Sequence, residues 1–280
     1  MTWRLLLALW AGVAGTGCVP AGAVEPEALR VEVTGRYPHD RQAWTQGLVW
    51  NGATLYESTG LTGQSTLREV LLETGAVVRS RAVEAPLFAE GLALVDGRLI
   101  QLTWLNRVAI VYDEATFDPV DAWSYAGEGW GLTNDGSRLI MSNGTETLQF
   151  RDPGTFALIS TVDVTVAGAA RGRLNELEWV DGFVYANVWM TDEILKIDPA
   201  TGAAVAVIDA SGLLTPAEAA EADVLNGIAF RPETGHFLVT GKWWPWVFEV
   251  DFVPVREAQG LVLGGEASGE EPEAAARPAR

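Results

Sequence analysis

Phe88-Ala-Glu-Gly-Leu92 decides the fold, because the same short phrase returns as Trp44-Thr-Gln-Gly-Leu48, Gly129-Trp-Gly-Leu132, Leu174-Asn-Glu-Leu177 and Leu225-Asn-Gly-Ile228. The last aliphatic residues of these phrases (Leu48, Leu92, Leu132, Leu177 and Ile228) are separated by 44, 40, 45 and 51 residues. Periods of roughly 40–50 residues suit a four-stranded propeller blade. Two positions before each aliphatic residue stand Gln46, Glu90, Trp130, Asn175 and Asn226. A packed core does not select a carboxylate, three amides and an indole for one repeated slot. The slot reads as a ring of polar groups converging on a shared cavity.

Each repeat has the same grammar. A short apolar strand ends in a turn, and four of the five turns carry Asn-Gly or Asp-Gly: Asn51-Gly52, Asp96-Gly97, Asp135-Gly136 and Asp181-Gly182. These pairs tolerate positive φ and so suit tight hairpins. The fifth turn, Arg231-Pro-Glu-Thr-Gly235, is longer. Second strands follow over 54–58, 98–102, 138–142, 183–187 and 236–240, and third strands over 67–71, 108–112, 147–150, 194–197 and 247–250. Fourth strands follow over 77–83 and 157–164. The fifth repeat lacks a fourth strand, and the segment Leu29 to Thr34 precedes Gln46 as Val77 to Val83 precedes Glu90. The expected fold is therefore all-β, a five-bladed β-propeller whose ring is closed by an N-terminal strand completing the last blade. Closure of this kind hides sheet edges. One polar insert, Thr215 to Asp223, reads as helix.

The termini and the charge set the surroundings. Residues 1–23 read as an export signal: Arg4 precedes an apolar run, Leu5 to Val13, too short to span a bilayer. Two processing sites compete there, Ala21-Gly-Ala23 before Val24 and a lipoprotein-like Gly15-Thr-Gly-Cys18. The protein is thus expected to be exported, periplasmic or secreted, with membrane attachment only through a lipid on Cys18 if the second site is used. Residues 24–263 form the expected propeller, and 264–280 an acidic, Ala-rich tail without apolar periodicity. Lys and Arg number 19 against 37 Asp and Glu, a net charge of −18, which repels phosphate backbones and excludes nucleic acid as a partner. A monomer is expected.

A second repeated slot lies at the ends of the second strands: Gly60, Trp104, Gly144, Trp189 and Lys242. Together the two slots supply a carboxylate, an ammonium, amides and several of the chain's twelve tryptophans. That set suits a small polar substrate with an apolar stem. Glu90 stands out because its four counterparts are uncharged. Lys242 ends an apolar strand just before Trp243-Trp-Pro245, a poor place to solvate an ammonium. Trp104, Trp130 and Trp189 could equally fill gaps between sheets. Asn175 and Asn226 suit turn caps, Asn226 above all. Glu176 and Glu178 read as solvated or turn-bonding carboxylates, and Glu128 as a holder of backbone amides between repeats. Two histidines, His39 and His236, and one cysteine do not make a His/Cys zinc site, and neither a Ser-His-Asp set nor a nucleotide-cradling glycine loop is present.

These segments closely resemble the plant/bacterial-type glutaminyl-peptide cyclotransferases over Tyr37 to Phe252. The resemblance rests on Thr45-Gln-Gly-Leu48, Leu55-Tyr-Glu-Ser-Thr-Gly-Leu61, Gln101-Leu-Thr-Trp104 and Glu128-Gly-Trp-Gly-Leu-Thr133. It continues in Leu174-Asn-Glu-Leu-Glu178, Tyr185-Ala-Asn-Val-Trp189, Val224-Leu-Asn-Gly-Ile-Ala229, Thr240-Gly-Lys242 and Trp244-Pro245. It implies a five-bladed propeller that converts the N-terminal glutamine of peptides or proteins to pyroglutamate with release of ammonia. It also implies an active site of Trp44, Gln46, Phe88, Glu90, Trp104, Trp130, Asn175, Trp189 and Lys242. No cofactor is implied for catalysis, but a divalent ion, calcium, is admitted as a structural element of the channel, with ligands the sequence does not identify. Trp44 stands where Phe is commoner. Ala89 replaces the usual Gly, which bears on the aim of Glu90 and hence on rate.

The chemistry agrees with the residues. The α-amine must attack its own γ-amide carbonyl, so indole walls that hold the folded-back conformer accelerate closure. Glu90 is placed to take the amine proton and return one to the departing ammonia. Lys242 and Asn175 are candidates to stabilise the oxyanion, with Gln46 orienting the amide. A non-catalytic propeller that binds peptide N-termini and a metal-dependent propeller hydrolase or lactonase are the alternatives, the latter wanting several carboxylates in the first slot where only Glu90 stands.

Overall fold

The computed structural model describes residues 24–255. The expected export signal with Cys18, the expected C-terminal tail and residues 256–263 of the expected propeller lie outside the described residues. Strand β1 (Glu27–Pro38) opens the chain. Four-stranded antiparallel meanders follow: β2–β5 (Thr45–Trp50, Leu55–Thr59, Thr66–Leu71, Ala76–Ala82) and β6–β9 (Ala89–Val95, Arg98–Thr103, Val108–Asp113, Pro119–Ser124). The third is β10–β13 (Leu132–Asn134, Leu139–Met141, Thr147–Arg151, Leu158–Asp163). A small hairpin, β14 and β15 (Thr165–Val166, Ala169–Ala170), leads to β16–β19 (Leu174–Val180, Phe183–Val188, Glu193–Ile197, Ala204–Asp209). After helix α1 (Pro216–Ala219) come β20–β22 (Leu225–Arg231, His236–Gly241, Trp246–Pro254). The protein is all-β, and among the described residues α1 is the one α-helix.

The N-terminal strand lies beside the last one. Val31 stands opposite Phe252 and Val33 opposite Val250 in an antiparallel ladder between β1 and β22. The start of β1 also runs parallel to β19, with Glu27 opposite Ala206. One strand thus joins β16–β19 to β20–β22 in an eight-stranded sheet, a junction that the repeat pattern did not announce. Two hairpins turn as their Asp-Gly pairs require: Asp96 and Gly97 have φ of 49° and 71°, Asp181 and Gly182 50° and 88°. The helix expected over 215–223 is only one turn long. Thr215 caps it with a full capping box, but none of its residues is buried, and a helix without an apolar face has nothing to propagate it.

Buried apolar clusters seal each seam between consecutive meanders. Tyr56 and Leu67 pack with Leu92, Leu99 and Phe117; Ile100 and Val111 with Leu132 and Phe156; Ile140 and Phe150 with Leu177 and Val188. Ile194 and Ile208 pack with Ile228 and Phe248. The last cluster returns to the start of the chain, joining Leu48, Leu55 and Val70 to Ala229, Leu238 and Val247.

The first strand of each meander meets the next at backbone contact. A Cβ added to Gly47 would lie 2.6 Å from the Leu92 nitrogen, one on Gly91 2.5 Å from that of Leu132, and one on Gly131 2.0 Å from the Asn175 carbonyl oxygen. The Gly91 N–H donates directly to the Trp130 carbonyl at 2.6 Å. Glycine follows the repeated polar slot in four phrases, and the fifth carries Glu176. Its fully buried carboxylate crosses to two other inner strands, accepting from the Leu48 N–H at 3.2 Å and the Ile228 N–H at 2.7 Å. Gly131→Ala is expected to lower unfolding free energy by about 1–3 kcal/mol through overpacking. Gly154→Ala, where the nearest atom is a side-chain oxygen at 3.5 Å, should stay within about 0.5 kcal/mol of wild type. Urea denaturation of the two variants checks this.

Candidate active site

The polar slot of the inner strands and the ends of the second strands open on the same side of the molecule. Glu90 begins β6 and is 6% exposed, and its carboxylate has no hydrogen-bond partner among the described residues; only its backbone carbonyl is engaged, by the Ser58 hydroxyl. Lys242, 4% exposed, follows β21. Its own N–H and carbonyl are clamped by Val224 and Asp223, and its Nζ lies 5.1 Å from the centre of the Trp44 ring. Burial is the largest influence on both groups and drives each toward neutrality. Glu90 is raised well above the usual carboxylate range, with the Lys242 charge drawing it back and Glu128 pushing it further up. Lys242 is lowered, against the opposing pull of Glu90 and Asp223. A buried acid and a buried base that influence each other are suited to proton transfer.

Aromatic rings wall this pair. Trp44 packs edge-on against Trp243 with centroids 4.5 Å apart, Phe88 against Trp104 at 5.8 Å, and Trp130 against Trp189 at 5.5 Å. The two glycines of the second slot make room for these rings. A Cβ on Gly60 would meet Phe88 at 2.5 Å and Trp44 at 2.9 Å, and one on Gly144 would meet Trp130 at 2.6 Å. The second slot is therefore a mixed ring: Trp104, Trp189 and Lys242 project, while Gly60 and Gly144 are cradles. Trp104 and Trp189 are each 36% exposed, so they form the mouth rather than fill a core.

The amides lie beneath. Gln46 is 3% exposed, and its Oε1 accepts from Asn226 Nδ2 at 3.2 Å. The same Nδ2 donates to the Thr45 carbonyl at 3.0 Å. Asn226 therefore caps no turn: it ties β20 to β2 and holds the Gln46 carbonyl, leaving the Gln46 NH₂ as the free end. Asn175 is no turn cap either. Its backbone carbonyl accepts from the Ser142 hydroxyl, and its side-chain Oδ1 is buried without a partner. The Trp44 indole N–H is likewise buried and unpaired. Buried groups left unpaired in this way are costly. Ala89 stands opposite Thr103 in the β6–β7 ladder and its N–H donates to the Ser65 hydroxyl at 3.1 Å, but the register shifts between Ala89 and Leu92, so Glu90 and Gly91 sit on an irregularity of the strand.

Three groups that support the site escaped the sequence reading. Glu176 and Glu178 are not solvated turn carboxylates. Glu176 is the axial group already described, held above the usual range by burial first and Glu178 second. Glu178 accepts from the Phe230 N–H at 3.0 Å. The signal for Glu176 was its standing in a position that is otherwise glycine. Glu176 is not free to serve as a calcium ligand, because both its oxygens already receive N–H donors. The third is His39, buried behind the Lys242 turn. Its Nδ1 donates to the Trp244 carbonyl at 2.8 Å and its Nε2 to Glu57 Oε1 at 2.9 Å, and the Thr45 hydroxyl donates to the same Glu57 oxygen at 2.8 Å. Arg68 lies 3.8 Å from the other oxygen. This network couples the strand bearing Gln46 to the turn bearing Lys242.

An all-β fold that buries Glu90 and Lys242 within each other's electrostatic influence, with the Trp44 indole beside the lysine, has the features of an enzyme site. The family model for glutamine cyclotransferases matches residues 5–252 of this chain. Over 226 residues the chain is 39% identical to a glutaminyl-peptide cyclotransferase of Arabidopsis thaliana, covering 79% of this chain and 70% of that one. It superposes on the crystal structure of Myxococcus xanthus glutaminyl cyclase with a TM-score of 0.76 at 40% identity, covering 83% of this chain and all of that one. The chain belongs to the glutamine cyclotransferase family.

The His39–Glu57 pair yields a stability prediction. Burial opposes the charged imidazolium, yet Glu57 overrides it and the His39 pKa is raised; burial likewise opposes the Glu57 carboxylate, yet His39 overrides it and that pKa is lowered. The His39 contribution is complete below its ordinary value of 6.5 and fades as pH rises through the folded value. The Glu57 contribution is complete above its ordinary 4.5 and fades as pH falls through the folded value. His39→Gln should cost about 3–5 kcal/mol by leaving a buried carboxylate short of its partner. The difference from wild type in urea melts should be widest between pH 4.5 and 6.5 and narrow on both sides.

Proposed function

We propose that Glu90 is the proton shuttle of a glutaminyl-peptide cyclotransferase, an aminoacyltransferase that closes N-terminal glutamine to pyroglutamate and releases ammonia. The observation that carries the assignment is a buried carboxylate with no hydrogen-bond partner, raised well above its ordinary range and coupled to a buried lysine. The α-amine of the substrate gives its extra proton to Glu90 and attacks the γ-carbonyl carbon. A C–N bond forms, and the carbonyl oxygen gains negative charge. Lys242 and the amides of Asn175 and Gln46 stabilise that charge and orient the γ-amide. Return of the proton from Glu90 to the amide nitrogen lets ammonia depart and restores the carbonyl. The Glu90 carboxylate so regenerated takes the second proton from the ring nitrogen and passes it to the released ammonia, which leaves as ammonium. Trp44, Phe88, Trp104, Trp130 and Trp189 hold the butanamide stem folded back on itself, which supplies the proximity term. No metal enters these steps.

The substrates are peptides or proteins that begin with glutamine. The scaffold proposed for the site is a five-bladed propeller, with β1 completing the blade of β20–β22. The cyclic series of sealed seams and the β1–β22 ladder support that reading. Export, with either cleavage before Val24 or lipidation of Cys18, and a monomeric state are also proposed, the first from the N-terminal sequence. Mass spectrometry of the mature N-terminus tells the two processing routes apart.

The decisive assay is coupled detection of ammonia from a Gln-initiated peptide. Glu90→Gln should reduce kcat at least about 100-fold, as expected for loss of a general acid–base group, without loss of the cooperative thermal transition. Near-normal ammonia release from this variant refutes the assignment.

A further inference from the structure

Glu128 lies in the loop between β9 and β10, one residue from the repeated phrase, and was expected to hold backbone amides. Its Oε2 instead accepts two indole N–H groups, from Trp104 at 2.7 Å and from Trp130 at 2.9 Å. These indoles belong to different meanders, Trp104 following β7 and Trp130 preceding β10. Each carries a further ring, Phe88 on Trp104 and Trp189 on Trp130. One carboxylate oxygen thus ties four aromatic side chains of the wall, across a seam where nothing else bonds the two indoles to each other. We propose that Glu128 is a positioning residue of the cyclisation site: it locks the Trp104 and Trp130 walls together with one oxygen. The proposal rests on the reading of Glu90 given above.

Two aspects of the geometry favour this over a purely structural tie. An indole N–H is satisfied by any acceptor, including a carbonyl or water at this partly open position, so orienting the rings does not by itself call for a formal charge. The charge is also felt at the reacting carboxylate. The charged and titratable groups influencing Glu90 are Lys242 from the β21–β22 turn and Glu128 from the β9–β10 loop, and Tyr125 at the end of β9 is in turn influenced by Glu90. Lys242 favours the ionised form and Glu128 disfavours it. Removing Glu128 alone leaves burial as the one influence opposing the attraction to Lys242.

Two substitutions separate the roles. Glu128→Gln keeps an oxygen acceptor for both indoles but removes the charge, so Glu90 should ionise at lower pH. The acid limb of the kcat/KM profile for a Gln-initiated peptide is expected to move down by about half a unit or more, with KM within about twofold of wild type. Glu128→Ala releases both rings. KM is expected to rise and kcat/KM to fall at least about tenfold, and the near-UV circular dichroism of the indoles should weaken while the urea transition persists. An unmoved acid limb in Glu128→Gln overturns the electrostatic role, and an unchanged KM with unchanged near-UV spectrum in Glu128→Ala overturns the positioning role. Failure of the parent reading shows differently, as ammonia release undiminished in Glu90→Gln or missing from wild type; the near-UV comparison still decides whether Glu128 orders the wall.

Discussion

The structure depends on how closely its innermost strands approach one another. At Gly47, Gly91 and Gly131 the neighbouring backbone stands where a Cβ would be, at 2.0–2.6 Å, so no side chain can occupy those positions without displacing a strand. The position that breaks the glycine series is Glu176, and its carboxylate fills the axial space and satisfies two N–H groups of other strands. Desolvation of that carboxylate is unfavourable, and the two backbone bonds together with the sealed seams offset it. The arrangement replaces one edge-to-edge hydrogen-bonded ladder with a set of point contacts that only work together.

Such packing has a direct consequence for chemistry. The residues one step before these positions include Gln46, Glu90 and Asn175, all of them buried. The environment there is dry enough to move the pKa of Glu90 up and that of Lys242 down. Two ions that would be stable on the surface are held close to the point where either can lose its charge. The unpaired Asn175 Oδ1 and Trp44 N–H belong to the same condition. The fold supplies stability in its seams and leaves bonding capacity unspent at one end.

Support for the site comes from layers the phrases do not contain. Asn226 fixes the Gln46 amide from the last repeat, His39 and Glu57 brace the Lys242 turn, and Glu128 ties the indoles. Asn226 and Gln46 meet although 180 residues apart, and His39 and Trp244 although 205 apart, whereas Glu128 acts between consecutive meanders.

The repeated phrases, their spacing and their Asp-Gly turns determined the strands, the order of the meanders and the candidate residues, since strand alternation and hairpin torsions are local properties that a sequence states directly. The N-terminal strand beside the last one was legible for the same reason: a four-strand unit short of one strand demands a partner. Tertiary structure alone decided that Asn226 bridges rather than caps, that Glu176 is an axial strut, that Gly60 and Gly144 are cradles for rings, and that Glu128 binds indoles. It also decided that β1 joins two meanders into one sheet. These are matters of which groups meet after the chain closes on itself, and hydrogen-bond partners separated by a seam leave no periodic trace in the residues between them.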